Sequence, residues 1–311
     1  MIKSKHLIEI GDVTNDEIYE ILENAKTFKE INDRPIKKLP TLRGKTVINL
    51  FLEPSTRTRS SFELAEKRLS ADSLNFSASS SATVKGESLL DTAETFDAMK
   101  VDMVVARHKY GGYCRILADH MDARIVNGGD GIHQHPTQTL LDLFTMQERM
   151  GTVEGKTVGI IGDIVHSRVA GSLAPALKRL GARVIFIAPP SYLPAVPAAL
   201  GAEVSHSLDA VLPELDVVYL LRIQGERANG LSVPSLREYS MLYGMDSRRM
   251  AKVQKDALIM HPGPMNRGVE ITPEVIADPR AVVLDQVNAG VAVRMSVMYM
   301  MLGGEDDGAA A

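Results

Sequence analysis

The sequence predicts an α/β protein in two halves, each a parallel β-sheet flanked by helices. Short runs of β-branched and aliphatic residues alternate with amphipathic helical stretches along the chain. Strand and helix signals take turns rather than clustering, which is the order of βα units and therefore of parallel sheets. After Glu154-Gly155-Lys156 the alternation starts afresh.

In the first half, Thr14-Asn15-Asp16-Glu17 is a capping box, opening a helix whose inner side is Ile18, Ile21, Leu22, Ala25 and Phe28. Lys45 to Leu52, bounded by Gly44 and Pro54, reads as a buried strand. Thr56 to Leu69 reads as a helix with Phe62, Leu64, Ala65 and Leu69 inward and Glu63, Glu66, Lys67 and Arg68 in water. A strand at Ser73 to Phe76 and an aperiodic polar loop from Ser77 to Lys85 precede a helix from Glu87 to Met99. Val101 to Ala106 is a strand that delivers Arg107-His108 at its carboxyl end, the edge where open α/β sheets hold ligands. After a short strand at Ala123 to Asn127, Gly128-Gly129-Asp130-Gly131 reads as the most flexible point of the chain. His135-Pro136-Thr137-Gln138 then starts a helix over Thr139 to Met150. Pro136 suits the first helical position, and Gln138 is placed to reach back as a cap partner.

The second half offers strands at Thr157 to Ile161, Arg183 to Ile187, Ala202 to Ser205, Val217 to Leu221 and Leu258 to Met260, with a helix near Ser167 to Leu180. Gly159 to Asp163 (GIIGD) invites a dinucleotide-binding reading, but it lacks the GxGxxG spacing. Val282 to Leu302 is apolar, yet carries Asp285, Gln286, Asn288 and Arg294, which makes it a buried helix rather than a membrane span. Glu305 to Ala311 reads as a disordered tail.

Composition narrows the function. The 311 residues are 45% hydrophobic and 24% charged, with a net charge of -4, no basic block and no Trp, so nothing favours nucleic acid. The single cysteine, Cys114, excludes an intramolecular disulfide and fits a reducing compartment. The N-terminus lacks the sustained apolar core of a signal peptide, and a cytoplasmic protein is expected.

The chemistry concentrates in Glu53-Pro54-Ser55-Thr56-Arg57-Thr58-Arg59, where a strand closes and a helix opens. Helix N-terminal amides, hydroxyls and two guanidinium groups converge there, a combination that suits a phosphate or carboxylate. Ser55 or Thr56 as a mere N-cap with solvated arginines is the alternative. Against it, cations are disfavoured in a helix's first turn, so two arginines there need a ligand to explain them. Arg222 stands at a second strand's carboxyl edge, and Leu258 to Met260 runs into His261-Pro262-Gly263-Pro264. Arg168, taken alone, reads as a solvent-facing helix residue.

The chain resembles the aspartate and ornithine carbamoyltransferases through PSTRTR (Pro54 to Arg59), KGES (Lys85 to Ser88), ARH (Ala106 to His108) and HPTQTLLDLFT (His135 to Thr145). GDIVHSR (Gly162 to Arg168), LRIQ (Leu221 to Gln224) and HPGPMNRG (His261 to Gly268) continue it, in the family's order along nearly the whole chain. The resemblance implies a carbamoyl phosphate domain over 1–134, an amino-acid domain over 135–285, and a C-terminal helix, 286–304, returning to the first. It implies transfer of carbamoyl from carbamoyl phosphate to the α-amino group of L-aspartate, without metal or organic cofactor. An ornithine enzyme would need an acidic partner for the δ-ammonium, and that branch typically carries a Cys in the late motif, where this chain has Pro262-Gly263-Pro264.

Carried over by resemblance, Ser55, Thr56, Arg57, Thr58, Ser81, Arg107, His135, Gln138, Pro262 and Gly263 hold carbamoyl phosphate. Lys85, Arg168, Arg222 and Gln224 hold aspartate. Arg57, Thr58, Lys85, Arg107 and His135 act on the reacting groups. Ser81 and Lys85 match a loop that reaches a neighbouring subunit's site, which implies a homotrimer with shared sites. Association with regulatory chains or a dihydroorotase is left open.

Overall fold

The computed structural model describes residues 1–77, 88–223 and 233–303. The chain divides into two compact units, Met1–Phe144 with the chain from Asn288 onward, and Thr145–Val287.

The first unit is built on strands β1 (Thr46–Phe51), β2 (Asp72–Ser77), β3 (Met103–His108) and β4 (Arg124–Asp130), all parallel, in the order β2-β1-β3-β4. Helices α1 (Asn15–Asn32), α2 (Thr56–Arg68), α3 (Leu89–Ala98), α4 (Tyr113–His120) and α5 (Pro136–Met150) follow in chain order. The division between units falls within α5 and within the C-terminal helix. The capping box of α1 forms as the sequence suggests: Thr14 Oγ1 accepts from Glu17 N at 3.2 Å, and Glu17 accepts from Thr14 N at 2.7 Å. Ile48, Leu50, Val104, Ala106 and Ile125 from the sheet pack with Phe96, Cys114 and Leu117 from the helices.

The second unit carries β5 (Thr157–Ile161), β6 (Arg183–Ile187), β7 (Ala202–Ser205), β8 (Val217–Leu220) and β9 (Leu258–Met260), parallel in the order β7-β6-β5-β8-β9. Its helices are α6 (Arg168–Arg179), the short α7 (Leu208–Val211), α8 (Leu236–Tyr243), and the short α9 (Ser247–Met250) and α10 (Pro273–Ile276). The C-terminal helix is α11 (Val283–Leu302). Met295, Val297, Met298 and Met301 of α11 are fully buried, and no helix among the described residues is long and apolar enough to cross a membrane.

Two local expectations are corrected, and one helix carried no sequence signal. Tyr113–His120 is helical: it is entered from Gly112 at φ 84, without the Ser, Thr, Asp or Asn that marks a helix start. Gly128 to Asp130 is no flexible point, because these residues complete β4 and are buried. Glu66 does not face water, and Leu64, expected inside, is exposed.

Glu66 is fully buried between α2 and the sheet, accepting from Asn49 Nδ2 at 2.9 Å to each carboxylate oxygen and from the Ser73 hydroxyl. Burial pushes its carboxyl up to about 7, because the charged form loses its hydration. A carboxyl raised in this way stabilises the fold while protonated. That contribution is complete below the ordinary carboxylate range and is lost as pH rises through about 7, where ionisation costs about 3 kcal/mol. Glu66→Gln keeps the shape without the charge. Its melting temperature relative to wild type should therefore rise between pH 5 and pH 8, and an unchanged difference over that interval would mean the buried carboxylate is already charged in the native protein at pH 5.

Candidate active site

In the first unit, the chain leaves β1 at Phe51 and enters α2 at Thr56. Ser55, the N-cap, is extended, and its side chain makes no capping bond, whereas Ser88 and Ser167 cap α3 and α6 by accepting first-turn amides. The first turn of α2 has no acidic residue and contains Arg57 and Arg59. The positive end of the helix therefore carries added positive charge in its first turn, a setting that suits an anionic ligand.

Arg107, near the end of β3, is 9% exposed. Its guanidinium donates to Gly128 O at 3.0 Å and pairs with Glu53 Oε1 at 3.1 Å, so both the turn after β1 and the end of β4 fix its direction. Opposite Arg107 the β3–β4 register shifts, with Ala106 beside Asn127 but His108 beside Asp130. Such a bulge re-aims the groups around it, and here the Gly128 carbonyl faces the guanidinium. His108 turns to structure: its ring stacks on Tyr113 with centroids 4.1 Å apart, and burial lowers its basicity.

His135 is buried just before α5, and its carbonyl accepts Gln138 N at 3.0 Å and Thr139 N at 3.2 Å. Pro136 takes the first helical position. Gln138 does not act as a reach-back cap; its side chain donates onward to Asp142 Oδ1 at 3.0 Å. Ser55, Thr56, Arg57, Thr58, Arg107, His135 and Gln138 thus all lie at or beyond the carboxyl ends of β1, β3 and β4. The first five flank the point where strand order reverses, between β1 and β3.

The second unit repeats the arrangement. After β5, Asp163 accepts the His166 amide at 3.3 Å and pairs with its Nδ1 at 2.7 Å, shaping the turn that ends in the Ser167 cap and Arg168. Arg168 is 3% exposed, contrary to its reading as a solvent-facing residue, because it opens α6 directly behind the carboxyl edge of the sheet. Half-buried Arg222 follows β8, the strand beside β5 at this sheet's reversal point. Pro262 and Gly263 follow β9, where His261 Nδ1 accepts from Gly263 N at 2.8 Å and the Gly263–Pro264 peptide is cis. Ser81, Lys85 and Gln224 lie outside the described residues.

Sequence reasoning missed Glu270 and Asn266. Glu270, fully buried, accepts Ile223 N at 2.8 Å, Asn266 N at 2.7 Å and Asn266 Nδ2 at 2.8 Å, while Asn266 Nδ2 also donates to Ile223 O at 3.3 Å. Both polar groups of Ile223, the residue after Arg222, are thereby fixed. Desolvation by burial raises the pKa of Glu270 above its ordinary value. Asn266 lay within a motif that was noted; Glu270, which lies 47 positions from Ile223, gave no local signal.

Two open parallel α/β units, each with arginines at its switch point, present sites suited to anionic ligands. Residues 5–148 match the aspartate/ornithine carbamoyltransferase carbamoyl-P binding domain, and residues 154–301 match the Asp/Orn binding domain. The chain belongs to the aspartate/ornithine carbamoyltransferase family. It is 53% identical to the aspartate carbamoyltransferase catalytic subunit of Thermobifida fusca over 300 residues, covering 96% of each chain. The corresponding subunit of an Anaeromyxobacter species is 50% identical over 303 residues, covering 97% of this chain and 96% of the relative. Among solved structures, aspartate transcarbamoylase from Trypanosoma cruzi with carbamoyl aspartate and phosphate superposes with a TM-score of 0.89 at 31% identity, covering 97% of each chain. The same enzyme with N-(phosphonacetyl)-L-aspartic acid gives 0.87 at 30% identity, again covering 97% of each chain.

Proposed function

We propose that this chain is the catalytic subunit of an aspartate carbamoyltransferase, moving the carbamoyl group of carbamoyl phosphate to the α-amino nitrogen of L-aspartate in pyrimidine synthesis. The observation that carries the reading is the half-identity to aspartate carbamoyltransferase catalytic subunits over nearly the entire length. The uncapped, doubly cationic start of α2 supports the phosphate pole, and the arginines at the ends of β5 and β8 suit a dicarboxylate.

In this reaction Ser55, Thr56, Arg57 and Thr58 hold the phosphate through hydroxyls, guanidinium and helix amides, and Arg107 adds charge-assisted hydrogen bonds. Gln138 and the backbone at Pro262 and Gly263 hold the carbamoyl amide. The amine of aspartate, its carboxylates held by Lys85, Arg168, Arg222 and Gln224, attacks the carbonyl carbon. Negative charge grows on the carbonyl oxygen, where Thr58, Arg107 and His135 stabilise it. The C–O bond to phosphate then breaks, and the departing phosphate takes the amine's proton. No side chain forms a covalent intermediate, so positioning and electrostatics supply the rate.

The active unit is a cytoplasmic homotrimer in which Ser81 and Lys85 of one subunit complete the site of the next. Exposed Leu64 on α2, Leu74 on the edge strand β2 and Leu90 on α3 support an apolar subunit contact.

Glu270→Ala should raise the KM for aspartate about tenfold, by freeing the Ile223 peptide beside Arg222, while the KM for carbamoyl phosphate changes less than about threefold. Equal changes in both constants would remove Glu270 from the amino-acid pole. The function itself is tested by giving the purified protein carbamoyl phosphate with L-aspartate or with L-ornithine. Carbamoyl-aspartate and phosphate in equal amounts, with no citrulline, is the expected result; citrulline alone would transfer the reading to the ornithine branch.

A further inference from the structure

The GGDG segment, Gly128 to Gly131, does more than link β4 to α5. Asp130 is fully buried, and its carboxylate gathers partners from two separate turns. Oδ1 accepts Asn127 Nδ2 at 2.8 Å and Gln134 N at 3.2 Å, both from the β4 side. Oδ2 accepts Gly112 N at 3.0 Å, from the turn that follows β3, and lies 3.2 Å from His133 Nδ1. Backbone bonds reinforce the join: Gly131 N donates to His108 O at 2.9 Å, and His133 N to Asp130 O at 3.0 Å. The glycine is needed for this approach. Gly131 has φ +52, and a Cβ there would stand 2.5 Å from Gly111 N.

One turn follows Arg107 by five residues and the other precedes His135 by one. We propose that Asp130 is a positioning residue that clamps the turn after β3 to the turn before α5 and so sets Arg107 and His135 at the separation the carbonyl oxygen requires. The inference rests on the carbamoyl-transfer reading given above. Asp130 itself touches neither substrate; it acts through the two turns, and through Asn127, whose Oδ1 accepts Gly129 N at 2.7 Å beside the Gly128 carbonyl that holds Arg107. A misplacement of about 1 Å in such a pair can cost about 100-fold in rate.

Three variants test it, each compared with wild type for kcat per folded protein and for competitive inhibition by inorganic phosphate. Asp130→Ala removes every acceptor and should lower kcat about 100-fold. Asp130→Asn keeps the volume but can satisfy only one pair of donors, and should lower kcat about tenfold, a partial rescue. Gly131→Ala leaves the carboxylate intact and prises the turns apart, so it should reproduce the loss even if Asp130→Ala fails to fold. In all three, phosphate inhibition should weaken less than in Arg57→Ala, because Arg57 and the α2 amides stay in place and only the share that Arg107 contributes is disturbed. Folded variants with kcat within about threefold of wild type, or with phosphate inhibition lost as fully as in Arg57→Ala, would overturn the clamp. A wild-type protein without carbamoyl transfer would instead overturn the functional reading on which it rests.

Discussion

Arg107→Ala should lower kcat by about 1,000-fold or more, the largest loss expected from a single substitution in this protein. That corresponds to about 4 kcal/mol of transition-state stabilisation. The side chain is 9% exposed and held from two sides, by Glu53 at 3.1 Å and by Gly128 O at 3.0 Å, so little reorganisation is needed when charge develops beside it. Truncation also strips a cationic partner from Glu53, leaving a carboxylate next to the proposed phosphate position. Arg107→Lys separates charge from geometry. It restores one positive charge without the planar two-point donor, and should recover no more than about tenfold of the loss. Steady-state kinetics at saturating carbamoyl phosphate measures both variants, and a kcat within tenfold of wild type for Arg107→Ala would remove this guanidinium from the reacting centre.

The second large effect is a recovery of activity. Lys85→Ala and Arg57→Ala proteins should each be nearly inactive, and mixing them under conditions of subunit exchange should restore activity from that floor. In a trimer with shared sites, a subunit carrying intact Arg57 can face a neighbour carrying intact Lys85, and random reassembly makes about a quarter of the sites whole. No recovery after exchange has been verified by mass would place Lys85 in its own subunit's site or outside the site altogether.

Much of this was legible in the sequence because its signals are local. The capping box at Thr14, the apolar run ending at Phe51 and the arginines after it all lie within a few residues of the structure they specify. The rim on which each strand ends followed from parallel order alone. What was not legible depends on partners far along the chain. Glu66 sits on a helix whose polar residues were assigned to water, and only Asn49 and Ser73, brought in by the sheet, explain its burial. Arg168 was read as solvent-facing for the same reason. Glycine content made Gly128 to Gly131 look pliable, whereas the turn after β3 packs so closely there that a side chain would not fit at Gly131. Helix α4 lacked a capping residue and gave no start signal.

In the proposed reaction, phosphate lies on the N-terminal turn of α2 with the carbamoyl oxygen toward Arg107 and His135. A crystal structure of the protein with carbamoyl phosphate and succinate, an unreactive dicarboxylate, tests it most directly. Phosphate oxygens are expected within hydrogen-bonding distance of the Thr56 to Thr58 amides and the Arg57 guanidinium, the carbonyl oxygen at Thr58, Arg107 and His135, and succinate carboxylates at Arg168 and Arg222. Phosphate bound away from α2, with the carbonyl oxygen out of reach of Arg107, would contradict it.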